Sequence, residues 1–268
     1  MLKRILTSVI IIPIVVLAVI RGGWLFLGLV TLMLTVGEFE FCRLMNQVGF
    51  EPKAVLGVAL IWVILADTYF PINSLRPALI VIMFVALSWH LYDPQEQTIA
   101  NWGLTVAGAL YVGLSGSYLV ALRGLPSPTG MMWMFLTLIC VASADTAAYF
   151  VGSLWGGPKM TPQLSPHKTW TGYGAGIVVS GLVSALAAYV WNLAAEATVV
   201  DPLRSGVLGG LIALVTPLGD LWISRIKRRA GVDDSGRIFP GHGGALDRLD
   251  TVLWAGVISY YYVSYVVM

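Results

Sequence analysis

The sequence predicts an all-α fold, a polytopic bundle of about nine transmembrane helices that gathers its polar groups in loops on one side. Of its 268 residues, 57% are hydrophobic and only 11% are charged. Soluble domains carry about 25% charged residues, so this chain has too few charges to cover a surface in water. Lipid is therefore expected to be the solvent for most of the chain, and no nucleic acid is expected as a partner.

Nine apolar stretches approach the roughly 20 residues that a spanning helix needs. These candidate spans are residues 5–20, 24–41, 54–70, 76–91, 104–123, 131–152, 172–194, 205–223 and 251–267. The third and fourth are the least regular, because Asp67, Pro71 and Arg76 crowd the turn between them, and eight spans are the alternative. The first span resembles a signal peptide, but no cleavage site of small residues follows it, so we expect it to be retained.

The basic residues orient these spans. With nine spans, all but four of the 16 Lys and Arg residues lie on the side of the N-terminus. The exceptions are Arg21, Arg76, Arg123 and Arg204. Because basic residues near helix ends stay cytoplasmic, this side is predicted to face the cytoplasm. It carries two polar loops, 153–171 and 224–250.

Acidic residues inside predicted spans are the first sign of chemistry. An ionisable side chain in a membrane is unfavourable unless it is paired or wetted, and is therefore a candidate for function. Asp145 lies in the sixth span and Asp220 in the eighth. For Asp145 the alternative is a carboxylate that is hydrogen-bonded between helices and serves packing.

The loop 153–171 has features of an anion site. Gly156 and Gly157 allow backbone N–H groups to approach an anion closely, and Lys168 supplies a point charge suited to phosphate. Ser165 is a further polar candidate. A lysine beside the end of a span can equally be a topology signal, so this loop does not decide the function by itself.

The loop 224–250 combines carboxylates with cations. Asp220 and Ser224 share a helix face at i,i+4, and Asp247 and Asp250 share one at i,i+3, near a helix N-terminus whose dipole favours them. Basic residues follow closely, namely Arg225, Lys227, Arg228 and Arg229. This combination suggests a nucleoside triphosphate with a divalent ion, since Mg²⁺ prefers a few carboxylates, waters and phosphate oxygens. A loop that only sets topology or attracts anionic lipid would explain the cations but not Asp220.

The stretch from Ser224 to Asp250 resembles the signature of phosphatidate cytidylyltransferases, also called CDP-diacylglycerol synthases. The matching positions are Ser224, Ile226, Lys227, Arg228, Asp234, Gly236, Phe239, Pro240, His242, Gly243, Gly244, Asp247, Arg248, Leu249 and Asp250. The segment that runs from Asp145 through Ser165 to Trp170 is similar to a second block of the family. The resemblance covers residues 143–250 well and the rest of the chain loosely.

Three positions depart from the family pattern. Asp233 stands where the family usually has Lys, Thr171 where it usually has Glu, and Ala245 where a larger aliphatic residue is usual. The exchange at Asp233 replaces a positive charge by a negative one beside the expected triphosphate. Weaker CTP binding, a shifted pH or metal optimum and an altered substrate are the consequences to consider.

The resemblance implies transfer of a cytidylyl group from CTP to phosphatidic acid, which gives CDP-diacylglycerol and pyrophosphate in phospholipid biosynthesis. It implies Mg²⁺, a second cation nearby, membrane lipid around the site, and a homodimer, because the family commonly dimerises. The size of the chain suggests a bacterial inner membrane, with the site facing the cytoplasm. On this basis residues 1–130 are predicted to give lipid access and oligomer contacts, and residues 131–268 to form the catalytic region.

The resemblance also implies roles for individual residues. Asp220 and Asp247 are expected to hold Mg²⁺, with Asp250 as a candidate ligand of the second cation. The expected catalytic residues are Asp220, Asp247, Lys227 and Arg248. The expected substrate-binding residues are Asp145, Ser165, Lys168, Ser224, Arg228, Asp234, His242, Gly243 and Gly244. His242 has two possible roles: its side chain could donate a hydrogen bond to a phosphate, or it could make a hydrogen bond that fixes the loop.

Other functions are weighed against this one. A lipid-alcohol kinase, or a transferase acting on another lipid phosphate, would need the same combination of carboxylates and cations. Both functions therefore remain alternatives. A catalytically impaired homologue is a further alternative, motivated by Asp233 and Thr171. A transporter is disfavoured, because transporters often show repeat symmetry and midplane polar groups. This sequence shows no repeat and gathers its polar residues in two loops.

Overall fold

The computed structural model describes residues 2–70, 75–91, 97–126, 128–196, 199–241 and 243–267, and most of these are helical. In chain order the helices are α1 Leu2–Arg21, α2 Gly23–Val48, α3 Ala54–Tyr69, α4 Leu75–Leu91, α5 Thr98–Ala109, α6 Ser115–Arg123, α7 Thr129–Leu154, α8 Trp170–Ala195, α9 Pro202–Val215, α10 Pro217–Arg229 and α11 Leu246–Tyr262. A π-helical turn, Leu110–Leu114, joins α5 to α6, and another, Val263–Val267, follows α11.

Helices of membrane-spanning length confirm a helical membrane protein. Within the described ranges, five helical stretches are long and apolar enough to cross a bilayer: Gly23–Val48, Thr98–Arg123, Thr129–Leu154, Trp170–Ala195 and Pro202–Arg229. Shorter apolar helices cover Thr7–Arg21, Ala54–Tyr69 and Pro77–Trp89. The count of nine spans stays a prediction.

Two details differ from the sequence expectation. The polar loop 153–171 contains an antiparallel hairpin, β1 Lys159–Thr161 paired with β2 Ser165–Thr169, so the fold is not purely helical. These strands are too short to show an alternating pattern. The predicted span 205–223 consists of two helices that meet at Thr216. Proline at position 217 accounts for the break, because it has no N–H to continue the ladder.

The chain forms two compact units. The first comprises residues 1–124 and 226–249, and the second comprises residues 125–225 and 250–268. The first unit therefore contains most of the polar loop 224–250, which the sequence analysis grouped by function with the C-terminal helices. That functional division at residue 130 stays a prediction.

In the first unit, helix α2 packs against α1, α3, α5 and α6. Small residues allow the close approach: a Cβ on Gly116 would overlap Leu34, and one on Gly108 would overlap Phe41. In a bilayer, where lipid is as apolar as leucine, such van der Waals packing is a principal source of helix association.

The start of α5 explains why the sequence placed the fifth span too late, at residue 104. Asn101 is fully buried, and its side-chain oxygen accepts a hydrogen bond from the backbone N–H of Glu51 at 2.8 Å. Thr105 likewise accepts one from the N–H of Lys53 at 2.9 Å. These polar side chains lower the mean hydropathy of the first turns of α5. They also bind the loop between α2 and α3, so the helix begins before the apolar stretch does.

In the second unit, α8 packs between α7 and α9 through small residues. Ser184 and Ser205 are fully buried and bind each other, with their hydroxyl oxygens 2.7 Å apart. Ser180 donates to the carbonyl oxygen of Cys140 on α7 at 3.0 Å. A Cβ on Gly209 of α9 would lie 2.6 Å from the carbonyl oxygen of Ser180. The spacing of α8 and α9 thus depends on a hydrogen atom at Gly209.

The Gly209→Ala variant should therefore be destabilised, because the added methyl group must push α9 away from the backbone of α8. We expect a loss of about 1–3 kcal/mol, as is typical of overpacking, seen as a lower unfolding temperature in detergent micelles. The adjacent Gly210→Ala variant is the matched control, since its Cβ would meet nothing within 4 Å. Equal unfolding temperatures for the two variants would contradict this packing.

Candidate active site

A cavity of about 260 Å³ in the second unit brings together three of the predicted substrate-binding residues. Asp145 contributes from α7, and Ser165 and Lys168 contribute from β2. Most of the remaining lining is small or apolar and comes from α7, α8 and the ends of α9 and α10. A cavity with an apolar body and a few convergent polar groups is the usual form of a small-molecule site.

The hairpin that carries Ser165 and Lys168 is fixed to the N-terminus of α8. Thr169 is the N-cap of that helix, and its side-chain oxygen accepts a hydrogen bond from the N–H of Gly172 at 3.1 Å. Thr171, one of the departures from the family pattern, donates to the carbonyl oxygen of Gly156. Gly157 has φ = +118°, a conformation that favours glycine. The two glycines thus shape the turn before β1, and Thr171 holds it.

Lys168 and Asp220 form an ion pair in the second unit. Asp220 lies in the first turn of α10, where the helix dipole favours a carboxylate. Its other oxygen accepts a hydrogen bond from Ser224 at 3.3 Å, as the predicted i,i+4 spacing requires. The side chains of Lys168 and Asp220 are 28% and 29% exposed, so a ligand can reach both.

Asp247 is surrounded by donors in the first unit. One carboxylate oxygen accepts from the ammonium of Lys227 at 2.7 Å. The other accepts from the N–H and hydroxyl of Ser235 at 2.8 and 3.0 Å, and from the N–H of Gly244 at 3.0 Å. Burial raises the pKa of Asp247, but the hydrogen bonds from Lys227 and Gly244 outweigh it and leave the pKa below its usual value.

The paired glycines of the signature are required by this arrangement. Gly243 has φ = +87°, and a Cβ there would lie 2.7 Å from a carboxylate oxygen of Asp247 and 3.1 Å from one of Asp234. Its carbonyl oxygen accepts a hydrogen bond from the N–H of Phe239 at 3.0 Å. Asp234, Gly243, Gly244 and Asp247 therefore lie together.

Glu40, which the sequence analysis missed, supports the same loop from helix α2. Its carboxylate accepts hydrogen bonds from the hydroxyl of Ser235 at 2.8 Å and from the N–H groups of Ala245 and Leu246 at 3.1 and 2.9 Å. A signal was present, because Glu40 is an acid within the predicted span 24–41. The rule that selected Asp145 would have selected it too.

Asp233 forms an ion pair with Arg228, a predicted substrate-binding residue. Both side chains are largely exposed, at 87% and 51%. The acid that replaces the usual family lysine therefore competes with any phosphate for Arg228.

The remaining predicted residues are placed as follows. Arg248 is exposed in the first turn of α11. Asp250 is buried, and its carboxylate accepts from the N–H of Thr251 at 2.7 Å. A Cβ on Gly219 would overlap the carbonyl oxygen of Asp250, so α10 and α11 approach closely in the second unit just before Asp220. His242 lies outside the described residues.

The carboxylates fit Mg²⁺ as partial ligands. In the described part of the chain, no group of three or more His, Cys, Asp or Glu side chains could hold a metal alone. Magnesium sites that use substrate phosphates need only one or two carboxylates from the protein. Asp220 and Asp247 are each paired with one lysine, Lys168 and Lys227 respectively. Asp220 and Asp247 belong to different units, and their sharing one ion stays a prediction.

Comparison with known proteins places this geometry in a family context. The model of the cytidylyltransferase family matches residues 2–266. A phosphatidate cytidylyltransferase of Synechocystis is 31% identical, over 97% of this chain and 96% of the relative. One of Bacillus subtilis is 30% identical, over 97% of each chain. One of Brucella suis is 39% identical, over 69% of this chain and 66% of the relative.

The cap at Thr169 can be tested by substitution. The Thr169→Val variant keeps the branched shape but loses the oxygen that accepts from Gly172, so it should lose about 1 kcal/mol of stability. Lys168 and Ser165 should become more accessible to proteolysis as the hairpin loosens from α8. The Thr169→Ser variant retains the oxygen and is the control. Thermal unfolding and limited proteolysis in detergent measure both, and a Val variant that behaves as the Ser variant would contradict the role of the cap.

Proposed function

The chain belongs to the cytidylyltransferase family, and we propose that it transfers a cytidylyl group from CTP to phosphatidic acid, giving CDP-diacylglycerol and pyrophosphate in phospholipid biosynthesis. Relatives named phosphatidate cytidylyltransferase that align over nearly its whole length support this pair of substrates. The structural observation that carries the proposal is that each predicted polar loop sets a lysine against an aspartate, Lys168 with Asp220 and Lys227 with Asp247.

The reaction needs positioning and charge neutralisation more than acid–base chemistry. An oxygen of the phosphatidate phosphate attacks the α-phosphorus of CTP, and pyrophosphate leaves in line. Because this nucleophile is already anionic, no strong general base is required. Lys168 and Lys227 suit the task, since each can exchange its carboxylate partner for a phosphate oxygen. Arg228 and Arg248 add further positive charge for the triphosphate or the lipid phosphate.

The carboxylates have the complementary role. We assign magnesium-binding roles to Asp220 and to Asp247, with Asp250 as the candidate for a second cation. When bound, Mg²⁺ would neutralise phosphate oxygens and stabilise the leaving pyrophosphate. Asp247 is already oriented by Ser235 and Gly244, so little side-chain entropy remains to be lost on binding.

The cavity of the second unit is proposed as the binding site for part of one substrate. Its volume of about 260 Å³ suits a nucleoside or a lipid head group. Ser165 and Lys168 offer a hydroxyl and a cation to phosphate, and the small apolar residues of the lining suit a base, a ribose edge or glycerol.

The membrane setting is also part of the proposal. Nine spans would place both polar loops on one face of the membrane, and the basic residues favour the cytoplasmic face. The bacterial relatives support a bacterial inner membrane. A homodimer is proposed from the resemblance to the family alone.

A product assay tests the function directly. Membranes or purified protein are incubated with Mg²⁺, phosphatidic acid and CTP that is labelled either in the cytidine or in the terminal phosphate. Cytidine label in the lipid fraction means cytidylyl transfer, whereas terminal-phosphate label there means a kinase. No labelled lipid would support an impaired homologue.

In the same assay, Asp220→Asn should reduce turnover by at least about 100-fold, as loss of one key charge-stabilising group does in other enzymes. Asp220 is preferred to Asp247 for this test, because Asp247 also binds backbone groups of its loop, and its substitution would disturb the structure. Asp201→Asn is the control, since Asp201 caps α9, and Asn is an equally good cap. Near-normal turnover in Asp220→Asn would remove Asp220 from the site.

Asp233→Lys should lower the KM for CTP. The exchange releases Arg228 from its ion pair and restores the charge usual in the family. Exposed ion pairs are worth at most about 1 kcal/mol, so an improvement of up to about fivefold is expected, and it should shrink at high salt. Asp233→Asn should give a smaller gain in the same direction. An unchanged KM in both variants would mean that Arg228 does not contact the nucleotide.

A further inference from the structure

We propose that Glu40 is a positioning residue for the reaction: its carboxylate holds the loop that precedes α11, and through this loop it fixes Asp247 and its ion pair with Lys227. The proposal rests on the proposed function for its kinetic consequence but not for its structural one. Glu40 lies on α2, about 200 positions before the loop in sequence, and its side chain is 7% exposed.

The loop is built around this carboxylate. One oxygen of Glu40 accepts from the N–H of Ala245, and the other accepts from the N–H of Leu246 and the hydroxyl of Ser235. The N–H groups of Ala245 and Leu246 begin α11, where the first turn has no backbone acceptors of its own. Glu40 thus caps α11 from a distant helix, in place of a local N-cap side chain.

Two signature glycines are explained by the same contact. A Cβ on Gly236 would overlap the carboxylate of Glu40, and a Cβ on Gly244 would overlap both that carboxylate and the hydroxyl of Ser235. The backbone therefore approaches Glu40 from two sides with no room for a side chain. A loop that covered the end of a helix without binding Glu40 would not require glycine at both positions.

Ser235 and Gly244 link Glu40 to Asp247. The hydroxyl of Ser235 lies 2.8 Å from a carboxylate oxygen of Glu40 and 3.0 Å from one of Asp247. The N–H groups of Ser235 and Gly244 both donate to that same oxygen of Asp247. If the loop moved away from Glu40, Asp247 would lose these donors together and keep only Lys227.

A carboxylate is needed here, and an amide of the same size cannot replace it. Both oxygens of Glu40 face N–H donors, those of Ala245 and Leu246. In Glu40→Gln, whichever way the amide turns, its NH₂ group must point at one of these donors. The variant therefore loses at least one hydrogen bond and places two donors in contact, although the volume is unchanged.

Glu38 offers a matched control on the same helix. It is fully buried, and the thiol of Cys42 lies 3.6 Å from one of its carboxylate oxygens. Its other oxygen has no hydrogen-bond partner among the described residues. Glu38→Gln therefore adds an NH₂ group where no backbone donor opposes it, and it leaves the loop untouched.

The test combines hydrogen–deuterium exchange with steady-state kinetics on the full-length protein in detergent. In Glu40→Gln, amide exchange should accelerate in the segment 235–247 and stay unchanged in α7 and α8. At saturating CTP, kcat should fall by about tenfold or more, the range found for residues that orient a metal ligand. Glu38→Gln should match the wild type in both measurements, and Glu40→Asp should recover part of kcat.

Unchanged exchange in segment 235–247, or a kcat equal to that of Glu38→Gln, would overturn the proposal. If Glu40→Gln does not fold, Ser235→Ala replaces it, because it removes only the hydroxyl that joins the two acids. That variant should show faster exchange at Gly244 and a smaller fall in kcat, and the absence of both would also overturn the proposal. A wild type that forms no CDP-diacylglycerol would refute the proposed function, while the exchange result would still decide the role of Glu40.

Discussion

A buried, ionised carboxylate destabilises the fold unless hydrogen-bond donors surround it, and the net stability of a fold is small. Glu40 and Asp247 obey this constraint together. Between them they accept from Lys227, from the hydroxyl of Ser235 and from four backbone N–H groups. These bonds determine the shape of the polar loop, since each donor must approach its carboxylate oxygen from a limited range of directions. Glycine is required at positions 236 and 244 for the same reason.

The second unit meets the same constraint in a looser way. Lys168 and Asp220 neutralise each other, but both remain partly exposed, and Asp220 also accepts a hydrogen bond from Ser224. Asp247 has more donors, namely two backbone N–H groups and the side chains of Ser235 and Lys227. The carboxylate of Asp247 is therefore held more firmly than that of Asp220. Preset groups lower the entropic cost of assembling a reactive geometry.

The sequence predicted the helices well because hydrophobic length is a local property. Each predicted span corresponds to a helix or a pair of helices, and the errors lie where polar residues serve a contact, as Asn101 does. The hairpin at 159–169 was not predicted, because its strands are short and are held by Thr171 and by the cap of α8. The candidate site residues between 234 and 247 were predicted from their motif. Glu40 was not, because no spacing rule connects residues about 200 positions apart, and the signal of an acid within a span was read only at Asp145 and Asp220.

The three departures from the family pattern differ in what they can do to the activity. Thr171 donates a hydrogen bond to the carbonyl oxygen of Gly156, so the residue at this departure stabilises the turn before β1. Ala245 is fully buried and donates its backbone N–H to Glu40, a bond that any residue except proline could make, so this exchange alters packing and not charge. Asp233 alone changes the charge at the loop, and it does so by binding an arginine that the triphosphate would use. An exposed ion pair is too weak to abolish nucleotide binding. The charge at position 233 is therefore expected to tune the affinity for CTP, and an impaired homologue would need a cause elsewhere in the site.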